Sequence, residues 1–169
     1  MEIQFETGYL LKQGDCDSLA NSATRQMLAG SGVSGAIYGA AGPQLRAWGK
    51  AYGPIKLAKA VVSPGYNLPN RWIIHVAAPR YFDDANPHEA LAAATWAVLD
   101  EAKHKGICRI AMPGLSIGVY RFPVAEAAEV TAQTLFGERM RDYPTLIRLV
   151  FLDPAITASY KEAFDSVKA

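Results

Sequence analysis

The sequence has 169 residues, of which half are hydrophobic and a fifth are charged, and its formal net charge is +1 at pH 7. This length and balance predict one domain over residues 1–169 with a full hydrophobic core. The near-zero net charge argues against a broad nucleic-acid-binding face, and no stretch reaches the roughly 20 apolar residues that a membrane span requires.

The first half of the chain reads as strands with one intervening helix. Residues 3–5 alternate apolar and polar side chains, which indicates a first strand that suits the edge of a sheet. A short strand is predicted over residues 17–21 and a helix of small residues over 33–41. Two more strands are predicted at 57–63 and 71–78, and the second is almost continuously apolar, as in a strand covered on both faces.

The most clearly marked helix begins near residue 86. Asn86 is expected to cap its first turn, Pro87 suits the first helical position, and Glu89 is expected to bond back to the cap. Gly106 is expected to end this helix, because glycine readily adopts the left-handed conformation found after a helix C-terminus.

The second half continues the alternation with a strand at 109–112, a helix at 123–136 stopped by Gly137, a strand at 146–152, and a last helix opening at Asp153-Pro154. Strands that alternate with helices predict an α/β fold whose largely parallel sheet is covered on both faces. Ligands of such sheets bind beyond the carboxyl ends of the strands.

Two glycine-containing segments, residues 30–33 and 114–120, lie where a strand is predicted to end and a helix to begin. Such junctions present unpaired main-chain N–H groups and the positive end of a helix dipole. Two of them on one sheet edge can hold two linked phosphates. The pattern therefore predicts a site for a nucleotide that contains a diphosphate.

Three ordered segments resemble the macro domain family, whose members bind ADP-ribose and its relatives. They are Asn21-Ser22-Ala23-Thr24 leading into residues 29–37, residues 62–76, and residues 112–123. The resemblance covers nearly the whole chain. It implies a three-layer α/β/α sandwich with a mixed, mostly parallel sheet, a ligand of the ADP-ribose type, ADP-ribosylated macromolecules as further partners, and no cofactor.

The expected ligand contacts follow the two loops and the ends of the neighbouring strands. The first loop contributes Gly30, Ser31, Gly32 and Val33; the second contributes Pro113, Ser116, Ile117, Gly118, Val119 and Tyr120. Phe122 is expected either to pack against the far ribose or to belong to the core. Leu152 matches a position that often packs on adenine, with core burial as the alternative.

The resemblance breaks at the base-binding end. The family has a Gly-Asp-Ile segment there, whose aspartate accepts a hydrogen bond from the adenine amino group. Gly8-Tyr9-Leu10 stands in its place, because the alternative at Asp15 lies too close to Asn21. Tyr9 and Leu10 are therefore expected base contacts. Tyrosine can stack on a base or donate a hydrogen bond, so the preferred base stays open.

The catalytic positions also differ. Family members that hydrolyse ADP-ribosyl esters commonly have an asparagine where Thr24 stands, and many have an acid where Ser34 stands. Neither hydroxyl is a plausible general base near pH 7. Asn21 and Thr24 remain the catalytic candidates, although Asn21 is expected chiefly to brace the loop. The favoured function is binding without efficient catalysis. The alternatives are an ADP-ribosyl hydrolase or O-acetyl-ADP-ribose deacetylase that uses substrate-assisted water attack, and a partner-binding fold with an empty cleft.

Other chemistry is less favoured. Cys16 and Cys108 lack a zinc-like spacing with histidine, so reduced thiols and no metal are expected. Gly114-Leu115-Ser116-Ile117-Gly118 has the letters of a nucleophile elbow, but no histidine follows residue 104 to complete a triad. His75 lies in an apolar strand and is expected to be a core histidine. No signal-peptide pattern is present, so the expected location is the cytoplasm.

Overall fold

The computed structural model describes all 169 residues and contains six β-strands and five α-helices. In chain order the elements are β1 (Glu2–Thr7), β2 (Ser18–Ala23), α1 (Gly32–Ala41), α2 (Pro43–Tyr52), β3 (Ala60–Pro64), β4 (Trp72–Ala77), α3 (Pro87–Lys105), β5 (Arg109–Met112), α4 (Val124–Gly137), β6 (Leu146–Phe151) and α5 (Pro154–Lys168). A short 3-10 turn at Leu10–Lys12 follows β1. None of the helices combines the length and the apolarity needed to cross a bilayer.

The six strands form one sheet in the order β1-β6-β5-β2-β4-β3. Every neighbouring pair is parallel except β3–β4, which is antiparallel. The mixed, mostly parallel sheet predicted from the sequence is thus confirmed. Because the other five strands run in the same direction, their carboxyl ends meet along one edge of the sheet.

Helices cover both faces of the sheet, as successive strand residues point to opposite sides. On one face α3, α4 and α5 bury Ile74, Ile110 and Ile147. On the other face α1 and α2 bury the neighbouring residues Ile73 and Ala111. The three-layer α/β/α arrangement is therefore confirmed.

Two local expectations were wrong and one was confirmed. Asn86 does not cap α3 with its side chain; it adopts a left-handed conformation (φ 50°, ψ 55°), and its main-chain oxygen accepts from Ala90 instead. Gly137 is the last residue of α4, and Glu138 follows as the capping residue. Gly106 ends α3 as expected, with φ +66° and its N–H directed to the last carbonyl groups.

Candidate functional site

The loops that follow β2 and β5 lie side by side, because these two strands are neighbours in the sheet. One hydrogen bond joins them directly: the main-chain N–H of Ser116, after β5, donates to the hydroxyl of Ser22, near the end of β2, at 3.4 Å. The two predicted phosphate loops therefore open at the same edge of the sheet.

The first loop leads into α1 with its main-chain donors unused. The N–H groups of residues 30–33 donate to no atom of the protein, and Ser31 provides no side-chain cap to the helix. The last helix, α5, differs: the Asp153 carboxylate accepts from the N–H of Ala155 at 2.8 Å. The first turn of α1 is therefore free to accept an anion.

The second loop presents a similar row of free donors. The N–H groups of residues 117–120 donate to no protein atom, while the ends of the loop are fixed by main-chain bonds. Phe122 donates to Ser116, and Tyr81, in the loop after β4, donates to Tyr120, both at 3.0 Å. Ser116 is 3% exposed, and its hydroxyl has no hydrogen-bond partner. An anion would satisfy this group of unpaired donors.

Exposed apolar side chains lie beyond the second loop, at the ends of β6 and β1. Leu152 is 69% exposed and Tyr9 is 60% exposed. The two segments are joined by a bond from the N–H of Gly8 to the Phe151 oxygen, at 2.8 Å. The core-burial alternative for Leu152 is therefore wrong, because β6 ends one residue earlier and leaves this side chain outside the sheet.

The opposite end of the edge, beyond β2 and β4, is charged. Arg25 and Asp84 form an ion pair that joins the loops after these two strands, and Arg80 lies 3.8 Å from the same carboxylate. Burial alone would raise the pKa of Asp84, but hydrogen bonds from Arg25 and from the Arg80 main chain hold it below its ordinary value. Burial raises the pKa of the adjacent Tyr120 hydroxyl.

The cluster of Arg25, Asp84 and Arg80 was not predicted from the sequence. Opposite charges on the loops after two adjacent strands were the available signal, but the order of the strands in the sheet was needed to see that the loops meet. Phe122, for which two alternatives were open, belongs to the core. It is 2% exposed and packs edge-on against Tyr81 and His88, with ring centroids 5.0 and 5.2 Å away.

Asn21 lies inside the molecule, with no exposed surface. Its Nδ2 lies 3.1 Å from His75 Nδ1 and 3.5 Å from the hydroxyl of Ser34, on the first turn of α1. His75 Nε2 lies 2.8 Å from the Ser63 hydroxyl. Because of this burial, the pKa of His75 falls to about 3. Asn21 is thus placed to brace the first loop, and His75 is the core histidine that was expected.

Thr24, the second catalytic candidate, uses its hydroxyl within the loop. The oxygen accepts from the N–H of Leu28 at 3.2 Å and lies at the same distance from the Leu28 carbonyl. No three His, Cys, Asp or Glu side chains lie together as a metal site would require. The edge therefore combines unpaired main-chain amides in the centre with an apolar end and a charged end.

The model of the Macro domain family matches residues 20–131. The chain is 38% identical over 165 residues to an uncharacterized protein of Fusobacterium nucleatum, covering 96% of this chain and 94% of that protein. It is 35% identical over 175 residues to a macro domain-containing protein of Listeria monocytogenes, covering 98% of each chain.

Among solved structures, the macrodomain of Oceanobacillus iheyensis with ADP matches with a TM-score of 0.92 and 27% identity, covering 98% of this chain and 91% of that one. A variant of the same macrodomain with ADP-ribose matches with the same TM-score and identity, covering 98% and 93%.

Proposed function

The chain belongs to the macro domain family, and on that premise we propose that its cleft binds ADP-ribose or a closely related nucleoside diphosphate sugar. The observation that carries this proposal is the pair of unpaired N–H rows at residues 30–33 and 117–120 on adjacent loops. The structural similarity to a macrodomain with ADP supports it. The diphosphate would lie between the two rows.

The apolar end and the charged end of the site determine the orientation of the ligand. A base is flat and largely apolar on its faces, so it suits the exposed Tyr9 and Leu152 beyond β1 and β6. A ribose carries hydroxyl groups, so it suits the polar end near Tyr120 and the Arg25–Asp84 pair. The ligand would then cross the sheet edge from β1 towards β4.

The free donors are sufficient in number for useful affinity. A hydrogen bond to a charged phosphate contributes about 1.5–3 kcal/mol net. Micromolar binding requires about 8 kcal/mol, so several such bonds and base stacking suffice after the entropy cost of association is included.

We propose binding without efficient hydrolysis. Thr24 has its hydroxyl bonded to Leu28, Asn21 is fully buried, and Ser34 is buried against Asn21, so these side chains offer no general base to the cleft. The exposed ring of Tyr9 counts against the empty-cleft interpretation, because it does not fill the base end with its own side chain.

Two glycine variants test the site. A Cβ at Gly118 meets no atom within 4 Å, so Gly118→Leu should fold and place its side chain over the second row of donors. We expect calorimetry to show at least about tenfold weaker ADP-ribose binding, equivalent to one lost charged hydrogen bond. Gly137→Leu, equally unobstructed at the end of α4, is the matched control and should bind normally.

The outcomes separate the alternatives. Binding that is unchanged in Gly118→Leu would remove the second loop from the site, and wild-type protein that binds no diphosphate at millimolar concentration would overturn the proposal. Release of ADP-ribose from a modified protein is expected to stay at the uncatalysed rate. Turnover above that rate would instead favour the hydrolase.

A further inference from the structure

The apolar end of the cleft offers a nucleobase two surfaces to stack on. Tyr9 and Leu152, at the ends of β1 and β6, are 60% and 69% exposed. Lys12 Nζ lies 5.0 Å from the centroid of the Tyr9 ring, which covers part of one face and leaves the rest of the ring accessible. Stacking on an aromatic face is tolerant of base identity, because every base has such a face.

The polar side chains near this end each form a hydrogen bond within the protein. The Glu6 carboxylate accepts from the Gln13 amide, and the Asp153 carboxylate accepts from Ala155 at the start of α5. The hydroxyls of Thr7 and Thr157 bond to each other at 2.8 Å. These side chains are therefore each tied to the protein through one of their oxygens, and the stacking surface itself, formed by Tyr9 and Leu152, contributes no carboxylate.

Discrimination between bases depends on hydrogen bonds to the polar groups along the rim of the base. A site that hydrogen-bonds one functional group strongly rejects a ligand without it, whereas contact with an apolar surface discriminates only weakly. At this end of the cleft the exposed stacking surface, formed by Tyr9 and Leu152, is aromatic and aliphatic.

We propose that this chain binds its nucleotide with little regard to the base, so that its ligands include uridine and guanosine diphosphate sugars as well as those of adenosine. This inference rests on the proposed function, since the diphosphate supplies the common anchor. Tyr9 is the specificity-determining residue: its ring holds the base by the face, and its side chain carries no charged acceptor for the adenine amino group.

Calorimetry with ADP, GDP and UDP tests the inference directly. We expect the three dissociation constants to agree within about fivefold, with UDP the weakest because a pyrimidine offers less stacking area. A preference for ADP of more than about fivefold over either of the others would overturn the inference while leaving the proposed function intact. Failure of all three to bind would overturn the proposed function itself.

Variants at residue 9 test the assigned role. Tyr9→Ala should weaken the binding of ADP, GDP and UDP by a similar factor of roughly ten, since it removes one stacking surface. Tyr9→Asp should raise the ADP-to-UDP preference to about tenfold, because the carboxylate accepts a hydrogen bond from the adenine amino group, which uracil lacks.

Tyr143→Ala is the matched control. This partly exposed tyrosine precedes the amino end of β6, whereas the candidate site lies at the carboxyl ends of the strands. It should change no affinity. If Tyr9→Asp leaves the relative affinities of the three nucleotides unchanged, Tyr9 does not determine specificity and the inference is overturned.

Discussion

The buried His75 imidazole connects side chains from both sides of β4. Asn21 Nδ2 can only donate, so His75 Nδ1 accepts and the ring proton lies on Nε2, facing the Ser63 hydroxyl. Ser63 in turn donates to the Pro64 carbonyl at 3.0 Å. The ring also stacks on Trp48, with centroids 5.3 Å apart. A second proton on this ring would face the Asn21 donor, so the fold requires neutral imidazole.

The stability of the fold should therefore depend on pH through His75. Its pKa is about 3 when folded, against 6.5 for an ordinary histidine. Between these two pKa values only the unfolded chain binds a proton at His75. The contribution of the neutral imidazole to the free energy of unfolding is therefore complete above pH 6.5 and is lost as the pH falls towards 3. We expect roughly 2–3 kcal/mol of this loss between pH 7 and pH 4.5, at about 1.4 kcal/mol per pH unit.

Urea unfolding of the wild type, His75→Gln and His104→Gln measures this effect. His75→Gln should be less stable at pH 7 but should lose less stability on acidification. The exposed His104 is the control, and its variant should keep the wild-type pH dependence. A pH profile for His75→Gln that parallels the wild type would show that the imidazole does not titrate as described.

The first helix has its start fixed by close contact with the loop before it. A Cβ at Gly35 would overlap the main-chain oxygen of Gly30, so α1 approaches its own loop at a distance that only glycine permits. Asn21 reaches the same turn from β2 through Ser34. The free N–H groups of residues 30–33 therefore owe their arrangement to packing behind the loop.

Two glycines in α1 form a matched pair for testing this arrangement. Gly35→Ala must push the loop away, so we expect lower stability and weaker ADP-ribose binding. Gly39→Ala meets nothing within 4 Å, lies in the same helix, and should raise stability by about 0.5–1 kcal/mol without changing affinity. Thermal unfolding and calorimetry of both variants measure the difference. Equal effects of the two variants on affinity would show that the contact between Gly35 and Gly30 does not arrange the first loop for binding.

Elements with a clear apolar run or clear helix-end residues were predictable from the sequence, whereas those that depend on contacts were not. Strand β4 and the long helix α3 were predicted correctly apart from their end residues. Helix α2 was missed, because it begins at Gly42-Pro43 and includes Gly49, both signals of a turn. The Asn86 cap was predicted wrongly because this residue has a left-handed backbone, whereas a capping side chain normally stands on an extended one.

At the scale of the whole molecule, sheet order determines which residues can act together. The two glycine loops were recognisable locally, but the order β6-β5-β2-β4 makes them neighbours and sets an apolar end on one side and a charged end on the other. The Arg25–Asp84 pair joins positions 59 residues apart in the chain. No local pattern encodes such a contact, so that end of the site could not be predicted from the sequence.

Hydrogen exchange measures whether the two rows of donors bind one ligand. Amides without a protein partner exchange rapidly, so residues 30–33 and 117–120 should exchange fast in the free protein. Saturating ADP-ribose should slow both rows together, because each would gain a phosphate oxygen as acceptor. Ligand at about 100 times its dissociation constant also stabilises the whole fold by about 2.7 kcal/mol, so core amides should slow by one common factor. Binding at the loops is therefore measured as the slowing of exchange at residues 30–33 and 117–120 relative to the slowing of the core amides. Protection of only one row would mean that the rows do not share a diphosphate. With ADP-ribose near the wild-type dissociation constant, Gly118→Leu should reduce the response at both rows to about a fifth, because tenfold weaker binding lowers the occupied fraction from about one half to about one tenth.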